Sequence, residues 1–438
     1  MNDLLQTILH WSADSPYWLG AAIFITALLE CLALVGILLP GVVLLFALAV
    51  IAGNGDLDLS SALLLAWIGG LCGDILSYAL GRRLQHKVPK LPVLRNHPQW
   101  LINAELHFER YGILSLLVGR FIGPLRPVLP LVAGMLSMPS TGFIAVSVFA
   151  AAGWAMAYIM PGWVVGAALE ISPPEHFWQQ AFWIASAVSI CLLFSLLSCL
   201  RGWRTASLIS AVLSGLALLT LMLNWSSLTV FDVYLHDLSQ LIRTPMLDHI
   251  MVLITRLGDF STQITLSIIL CALLLFFRQR QAFLFAAGTL ISTAISNYLL
   301  KLFFERARPS VLLEPLHSFS FPSGHSASGF AFFLVLAVLA SRQQPQRWRV
   351  IWLCAAFIPA TSIALSRIYL TAHWPTDILA GALLASTLCA ASLTIIQRQH
   401  PISGLSKRHW QIILPMLLIT AVTLLSWNLP QALQMYAY

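Results

Sequence analysis

Three short runs in the second half of the chain hold residues whose types and spacing suit phosphate chemistry. The first is Lys301, six residues, then Arg308-Pro309. The second is Pro322-Ser323-Gly324-His325, and the third is Ser366-Arg367 followed by His373 and Asp377. Lys301, Arg308 and Arg367 supply cations, and the planar fork of arginine matches phosphate oxygens. Ser323 and Gly324 precede an apolar run that starts near His325. A helix N-terminus there would offer free N–H groups and a favourable dipole to an anion. Covalent phosphoryl transfer needs a nucleophile and an acid for the leaving group, and His373 and His325 can fill those roles. Asp377 lies four residues beyond His373, on the same face if the backbone is helical. A carboxylate at that position would fix the tautomer of the imidazole. Each feature alone has a plainer reading: a terminal Lys or Arg as an interfacial anchor, a lone histidine as structural, Ser-Gly as a cap. Together and in this order they point to one anion site. Nothing in the pattern calls for a metal or another cofactor.

The elements that must position these residues are membrane helices. Hydrophobic residues make up 59% of the 438 residues and charged ones 9%, with a mean hydropathy of +0.84. Soluble domains carry about 25% charged residues. Apolar runs long enough to cross a bilayer occupy 61–81, 141–167, 181–200, 205–224, 281–303, 324–341, 376–396 and 411–428. The stretches 249–277 and 348–368 read as further spans, giving about ten. The net charge of +7 does not indicate nucleic acid, because the basic residues sit in short loops between spans. The seven cysteines lie almost entirely in apolar runs and define neither a disulfide framework nor a zinc site. No basic segment precedes the first apolar stretch, so no cleaved signal peptide is expected.

Loop charge sets the expected orientation. The basic loops at 82–95, 201–204, 278–280, 342–349 and 398–408 are expected in the cytoplasm. The connections 304–323 and 369–375 then fall on the opposite face, so all three phosphate-type runs meet at one membrane surface. Two stretches break the pattern: 18–52, interrupted at Pro40-Gly41, and 111–138, interrupted by Pro124, Pro127 and Pro130. Proline removes a backbone donor and ends or kinks a helix. Irregular backbone at membrane depth is tolerated only inside protein or beside a wet cavity. Both stretches read as re-entrant hairpins entering from opposite faces, as in an inverted-repeat transporter. Two kinked spanning helices are the plainer alternative.

The three runs resemble the type 2 phosphatidic acid phosphatase family, over roughly residues 205–396. The resemblance implies a six-helix core, no metal, a phosphohistidine at His373, His325 as acid and Asp377 orienting the nucleophile. Lys301, Arg308, Ser323, Gly324 and Arg367 would bind phosphate. Vanadium-using haloperoxidases share the anion pocket, which leaves that activity formally open; an intramembrane setting argues against it.

Charges inside membrane segments default to functional hypotheses. Glu30 lies in the first broken stretch, Arg120 and Arg126 in the second, and Asp74 within 61–81. Each has a structural alternative: Glu30 could pair with an arginine simply to hold the hairpins together. This half resembles the DedA family of the SNARE-associated Golgi protein superfamily, over roughly residues 15–200. The resemblance is carried by Glu30 with Pro40-Gly41, Gly73-Asp74 with Tyr78 and Gly81-Arg82, and Gly119 to Pro127 with Gly134 and Met138-Pro139. Val42 departs from the acidic residue many members carry after the Pro-Gly, which leaves proton coupling open. The family implies lipid transport across the bilayer.

The expectation is an all-α integral membrane fusion. Residues 1–200 would form an inverted-repeat transport domain, 201–400 a six-helix phosphatase core, and 401–438 an extra helix without an assigned role. The expected partners are membrane lipid phosphates, with undecaprenyl pyrophosphate the best fit in a bacterial inner membrane and the phosphatase site facing the periplasm. Phosphatidylglycerophosphate or phosphatidate is the enzymatic alternative. A transporter whose phosphatase-like half only binds lipid phosphate is the non-enzymatic one. Oligomeric state and transport direction stay open.

Overall fold

The computed structural model describes residues 16–33, 35–38, 41–84, 114–121, 126–168, 173–200, 205–309, 318–399 and 402–427, with four isolated positions besides. Pro40, Pro124 and the loop 310–317 lie outside the described residues, as do the basic residues Lys87, Lys90, Arg95, Arg201 and Arg204. Among the described residues every regular element is a helix. Among the described residues nine helices are long and apolar enough to cross a membrane, and a bent pair makes a tenth. Their outward faces are apolar: Ile291, Ile295, Leu299, Leu418 and Ile419 are each more than half exposed. Hydrocarbon, not water, suits such a surface. The chain is a multi-pass membrane protein.

The chain divides into two compact units, Met1–Ser172 and Pro173–Tyr438. The joint expected from the two resemblances lies near 200–205. In the first unit, α1 (Pro16–Cys31), the single turn α2 (Val35–Leu38) and α3 (Gly41–Gly53) form the first broken stretch. At 1.5 Å per residue α1 reaches about 24 Å and α3 about 20 Å. Neither spans a hydrocarbon core of about 30 Å alone, and the two pack on each other. Gly41 lies directly against the carboxylate of Glu30, where a β-carbon would collide. The long helix α4 (Leu59–Leu84) packs on α1. The second broken stretch holds the short α5 (Leu114–Gly119) and α6 (Val128–Met135), followed by the long α7 (Ser140–Ala168). α6 packs on α4, and α7 on α3 and α4.

The second unit begins with α8 (Phe177–Leu200) and α9 (Ala206–Asn224). A single 3-10 turn leads into α10 (Thr229–Leu241). α8 belongs here because its N-terminal turn is tied to α10. The Phe177 and Tyr234 rings lie 4.3 Å apart, and Gln180 Oε1 accepts from the Phe231 amide at 2.9 Å.

α11 (Pro245–Arg256) starts on a strong local signal, Thr244 as cap with Pro245 at the first helical position. It meets α12 (Phe260–Phe276) at a bend of 43°. The stretch expected as one span over 249–277 is therefore two helices, broken at Leu257–Asp259.

α13 (Arg280–Phe304), α14 (Gly324–Ser341), α15 (Gln346–Tyr369) and α16 (Pro375–Gln399) complete the core, with α14 packed against the other three and α12. α17 (Lys407–Ser426) packs on α12.

Candidate active site

The three runs meet at one end of the second unit. The chain enters from α13, whose last turn carries Lys301 and which ends at Glu305 in the left-handed conformation. That reversal brings Arg306 and Arg308 back over the bundle. α14 begins at the Ser323 cap, whose Oγ accepts from the Ser326 amide. α15 delivers Arg367 in its last turn, and α16 carries Asp377 in its first. His373 lies in the tight connection between them. Serine and aspartate join the runs through the backbone as well: the Ser323 amide donates to the Asp377 carbonyl at 2.9 Å.

His373 is at the centre and is almost wholly buried. Arg308 Nη1 lies 3.0 Å from its Nε2. A guanidinium only donates, so Nε2 is the unprotonated nitrogen and the ring proton sits on Nδ1. Nδ1 faces Ser320 Oγ at 3.3 Å and Asp377 Oδ2 at 3.4 Å. The Ser320 hydroxyl donates to the same Asp377 oxygen. Burial first, then the neighbouring Arg308, Arg367, Lys301 and His325, hold the imidazole well below the usual histidine range. A neutral ring with a free Nε2 among cations is the form that can attack an electrophile.

The cations rest on neighbouring carbonyls and hydroxyls. Arg308 Nε and Nη1 donate to the carbonyls of Ser318 and Ala372, each at 2.6 Å. Lys301 Nζ donates to the Phe319 carbonyl. Arg367, only 1% exposed, donates to Thr255 Oγ1 at 3.0 Å. Gly324 lies where a β-carbon would stand 3.9 Å from Lys301 Cε, so the helix start and this cation are neighbours. His325 Nε2 lies 3.0 Å from Asp259 Oδ1.

Several contributors were not legible beforehand. Arg306 bridges two buried carboxylates, Asp377 Oδ1 at 2.7 Å and Asp232 Oδ2 at 2.6 Å. Its guanidinium is flanked by Trp225 and Trp374, with ring centroids at 4.7 and 5.6 Å. Asp232 also accepts from the Thr376 amide and hydroxyl at 2.9 and 2.6 Å. Arg306, two residues before Arg308, and Asp232, an acid in a largely apolar stretch, left a trace in the sequence. Ser320, Thr255 and Asp259 left none that separates them from ordinary loop and cap residues.

In the first unit the four intramembrane charges pair off. Arg126 Nη1 lies 2.7 Å from Glu30 Oε1, and Arg120 is bonded to Asp74. Cys31 Sγ lies 3.4 Å from Nη2 of each arginine. Both guanidiniums lie over the Trp154 ring, at 5.2 Å for Arg120 and 4.0 Å for Arg126. Asp74, Arg120 and Arg126 line a small cavity with Ser147 and Pro130.

A helical membrane bundle with a buried histidine–carboxylate pair and three converging cations defines a membrane-embedded phosphatase. The comparisons agree. A family model for the PAP2 superfamily matches residues 281–401, and one for the VTT domain matches 39–164. Inner membrane protein YabI of Escherichia coli K12 is 35% identical over 206 residues, covering 47% of this chain and 79% of that protein. Phosphatidylglycerophosphatase B of Bacillus subtilis 168 is 34% identical over 147 residues, covering 32% of this chain and 71% of that protein. A crystal structure of a transmembrane PAP2 type phosphatidylglycerolphosphate phosphatase from Bacillus subtilis aligns with a TM-score of 0.40 and 27% identity, over 43% of this chain and 96% of that one. The chain belongs to the PAP2 superfamily through its C-terminal part and to the VTT, or DedA, family through its N-terminal part. It is a membrane lipid phosphatase.

Proposed function

We propose that the enzyme cleaves the terminal phosphate of a polyprenyl pyrophosphate, most simply undecaprenyl pyrophosphate, and that the VTT unit moves a lipid between leaflets. The catalytic reading rests on one observation: His373 Nε2 points at Arg308 while Nδ1 points at Asp377. Lys301, Arg308, Arg367 and the start of α14 at Ser323 and Gly324 hold the terminal phosphate. Nε2 of His373 attacks its phosphorus, forming a P–N bond as the bridging P–O bond breaks. His325 gives its proton to the departing oxygen. Water then attacks the phosphohistidine, His325 takes the proton back, and inorganic phosphate leaves with His373 regenerated.

The choice of lipid is supported by the fusion itself. A lipid dephosphorylated at the outer leaflet must return inward for reuse, and a translocating unit on the same chain supplies that step. The loop charges favour an inner-membrane setting with the site on the periplasmic side. A second reading has its own support: a relative that matches is named for phosphatidylglycerophosphate. On that reading the VTT unit flips phospholipid.

Phosphate release from the detergent-purified chain, measured over undecaprenyl pyrophosphate, phosphatidylglycerophosphate and phosphatidate, tests the substrate. The highest kcat/KM is expected on the pyrophosphate. A preference for phosphatidylglycerophosphate would select the second reading, and no release from any of them would leave only a phosphate-binding transporter.

A further inference from the structure

The bend between α11 and α12 touches the candidate site at three points. Thr255 Oγ1 accepts from Arg367 at 3.0 Å. Asp259 Oδ1 lies 3.0 Å from His325 Nε2. Gly258 supplies bare backbone beneath the histidine: a β-carbon there would stand 3.1 Å from His325 Cδ2 and 2.6 Å from Ile363 Cγ2.

Arg256 sits in the middle of this segment and reaches away from the site. Its Nη1 donates to the Leu425 carbonyl at 2.9 Å and its Nη2 to the Leu424 carbonyl at 3.0 Å and to that of Trp427. Those carbonyls close the C-terminal end of α17, a helix beyond the family match, which ends at 401. The last carbonyls of a helix lack intrahelical donors, and the negative end of the dipole favours a cation. Arg256 Nε also lies 3.9 Å from Asp259 Oδ2, the second oxygen of the carboxylate that faces His325.

We propose that α17 and Arg256 form a brace that holds Asp259 against His325, and that Asp259 is a positioning residue for the leaving-group acid. This rests on the reading of His325 as that acid. An ionised carboxylate only accepts hydrogen bonds, so Asp259 keeps a proton on Nε2 and fixes the rotation of the ring, as a triad acid does for its histidine. The ring then gives one proton to the departing oxygen and recovers one from the hydrolytic water. The brace counts most where the leaving oxygen depends on that proton.

The test uses the full chain in detergent and two substrates. Phosphatidate expels an alkoxide, which needs the proton; p-nitrophenyl phosphate expels a stable phenolate, which hardly does. The quantity read is the ratio of kcat on the first to kcat on the second. His325→Ala should lower the ratio about a hundredfold. Asp259→Asn and Arg256→Ala should each lower it by about tenfold, and the double variant no further, because both act along one path. Arg256→Lys, which cannot reach three carbonyls at once, should fall between wild type and Arg256→Ala, and it carries the test if the alanine variant does not fold. An unchanged ratio in Asp259→Asn and the arginine variants, whatever the absolute rates, overturns the brace. An unchanged ratio in His325→Ala removes the acid assignment beneath it.

Discussion

The carboxylate of Asp377 lies 3.4 Å from Nδ1 of His373, and Ser320 Oγ sits beside both, donating to the carboxylate and 3.3 Å from the ring. The relationship fixes the tautomer that leaves Nε2 free. His373→Ala is expected to abolish phosphate release while the chain stays folded, because a buried imidazole gives way to a small apolar group. Asp377→Asn should keep the geometry and lower kcat about a hundredfold or more. Phosphate release at saturating lipid measures both, and a wild-type rate in His373→Ala would exclude a phosphohistidine.

The depressed pKa of His373 sets a pH dependence. With His373 as the proposed nucleophile, a ring that titrates below the usual range stays neutral further into acid, so turnover should persist below the pH at which an ordinary histidine protonates. After burial, Arg308 is the foremost cause of the shift. Removing that cation should let the pKa rise, so the acid limb of kcat/KM in Arg308→Ala should move to higher pH, beyond a general loss of phosphate affinity. An acid limb that stays in place, or moves lower, would contradict the assignment.

Arg306 neutralises two buried carboxylates at once, Asp232 and Asp377. Removing one partner of a buried ion pair leaves charge without compensation and costs about 3–5 kcal/mol. Arg306→Ala should therefore lower the melting temperature in detergent markedly. Arg306→Ala combined with Asp232→Asn should recover part of that loss, because one orphaned charge is removed.

The orientation has a separate check. Ala307 is exposed beside the candidate site, and Gln344 is exposed at the opposite end of the same unit. With the native cysteines replaced, Ala307→Cys should react with an impermeant thiol reagent added to intact spheroplasts, and Gln344→Cys should not. The reverse labelling would put the site in the cytoplasm and remove the recycling argument.

The helices and the phosphate site were legible for different reasons. Apolar runs of membrane length are set by bilayer thickness, so α13, α14, α15 and α16 fall close to the expected ranges. The three phosphate-type runs were legible because the chemistry restricts residue type and spacing. What was not legible depends on tertiary contact. The bend at Leu257–Asp259 is hidden in an apolar stretch with one glycine, and the close approach of the His325 ring to Gly258 comes from another helix. The expected domain over 1–200 includes α8, and nothing in that apolar run signals that Phe177 and Gln180 contact α10. In the sequence Arg306 is a third basic residue in one run and looks redundant; its partner Asp232 lies 74 positions away.

Glu30, Asp74, Arg120 and Arg126 make the last prediction. Each arginine is held by a carboxylate and rests on Trp154. Among the described residues the pairing is incomplete: Glu30 Oε2 and the Nε atoms of Arg120 and Arg126 are buried without a hydrogen-bond partner there. A phosphate crossing hydrocarbon without cations would meet a desolvation cost of many kcal/mol. On the proposed transport reading, these guanidiniums exchange a carboxylate for such a group, and Glu30 competes when the lipid leaves. Arg120→Ala and Arg126→Ala should therefore stop lipid translocation in proteoliposomes. Because each leaves a buried carboxylate alone, Arg120→Lys and Arg126→Lys accompany them; these keep the charge but lose the fork, and transport should fall with the fold retained. Phosphatase turnover on detergent-solubilised lipid should stay near wild type in all four, since that site is built from residues of the other unit. Glu30→Gln should be mild if the residue only balances charge and severe if it carries a proton. Full transport in the arginine variants would remove the site assignment. Loss of their phosphatase activity in detergent would show that the two units do not work independently.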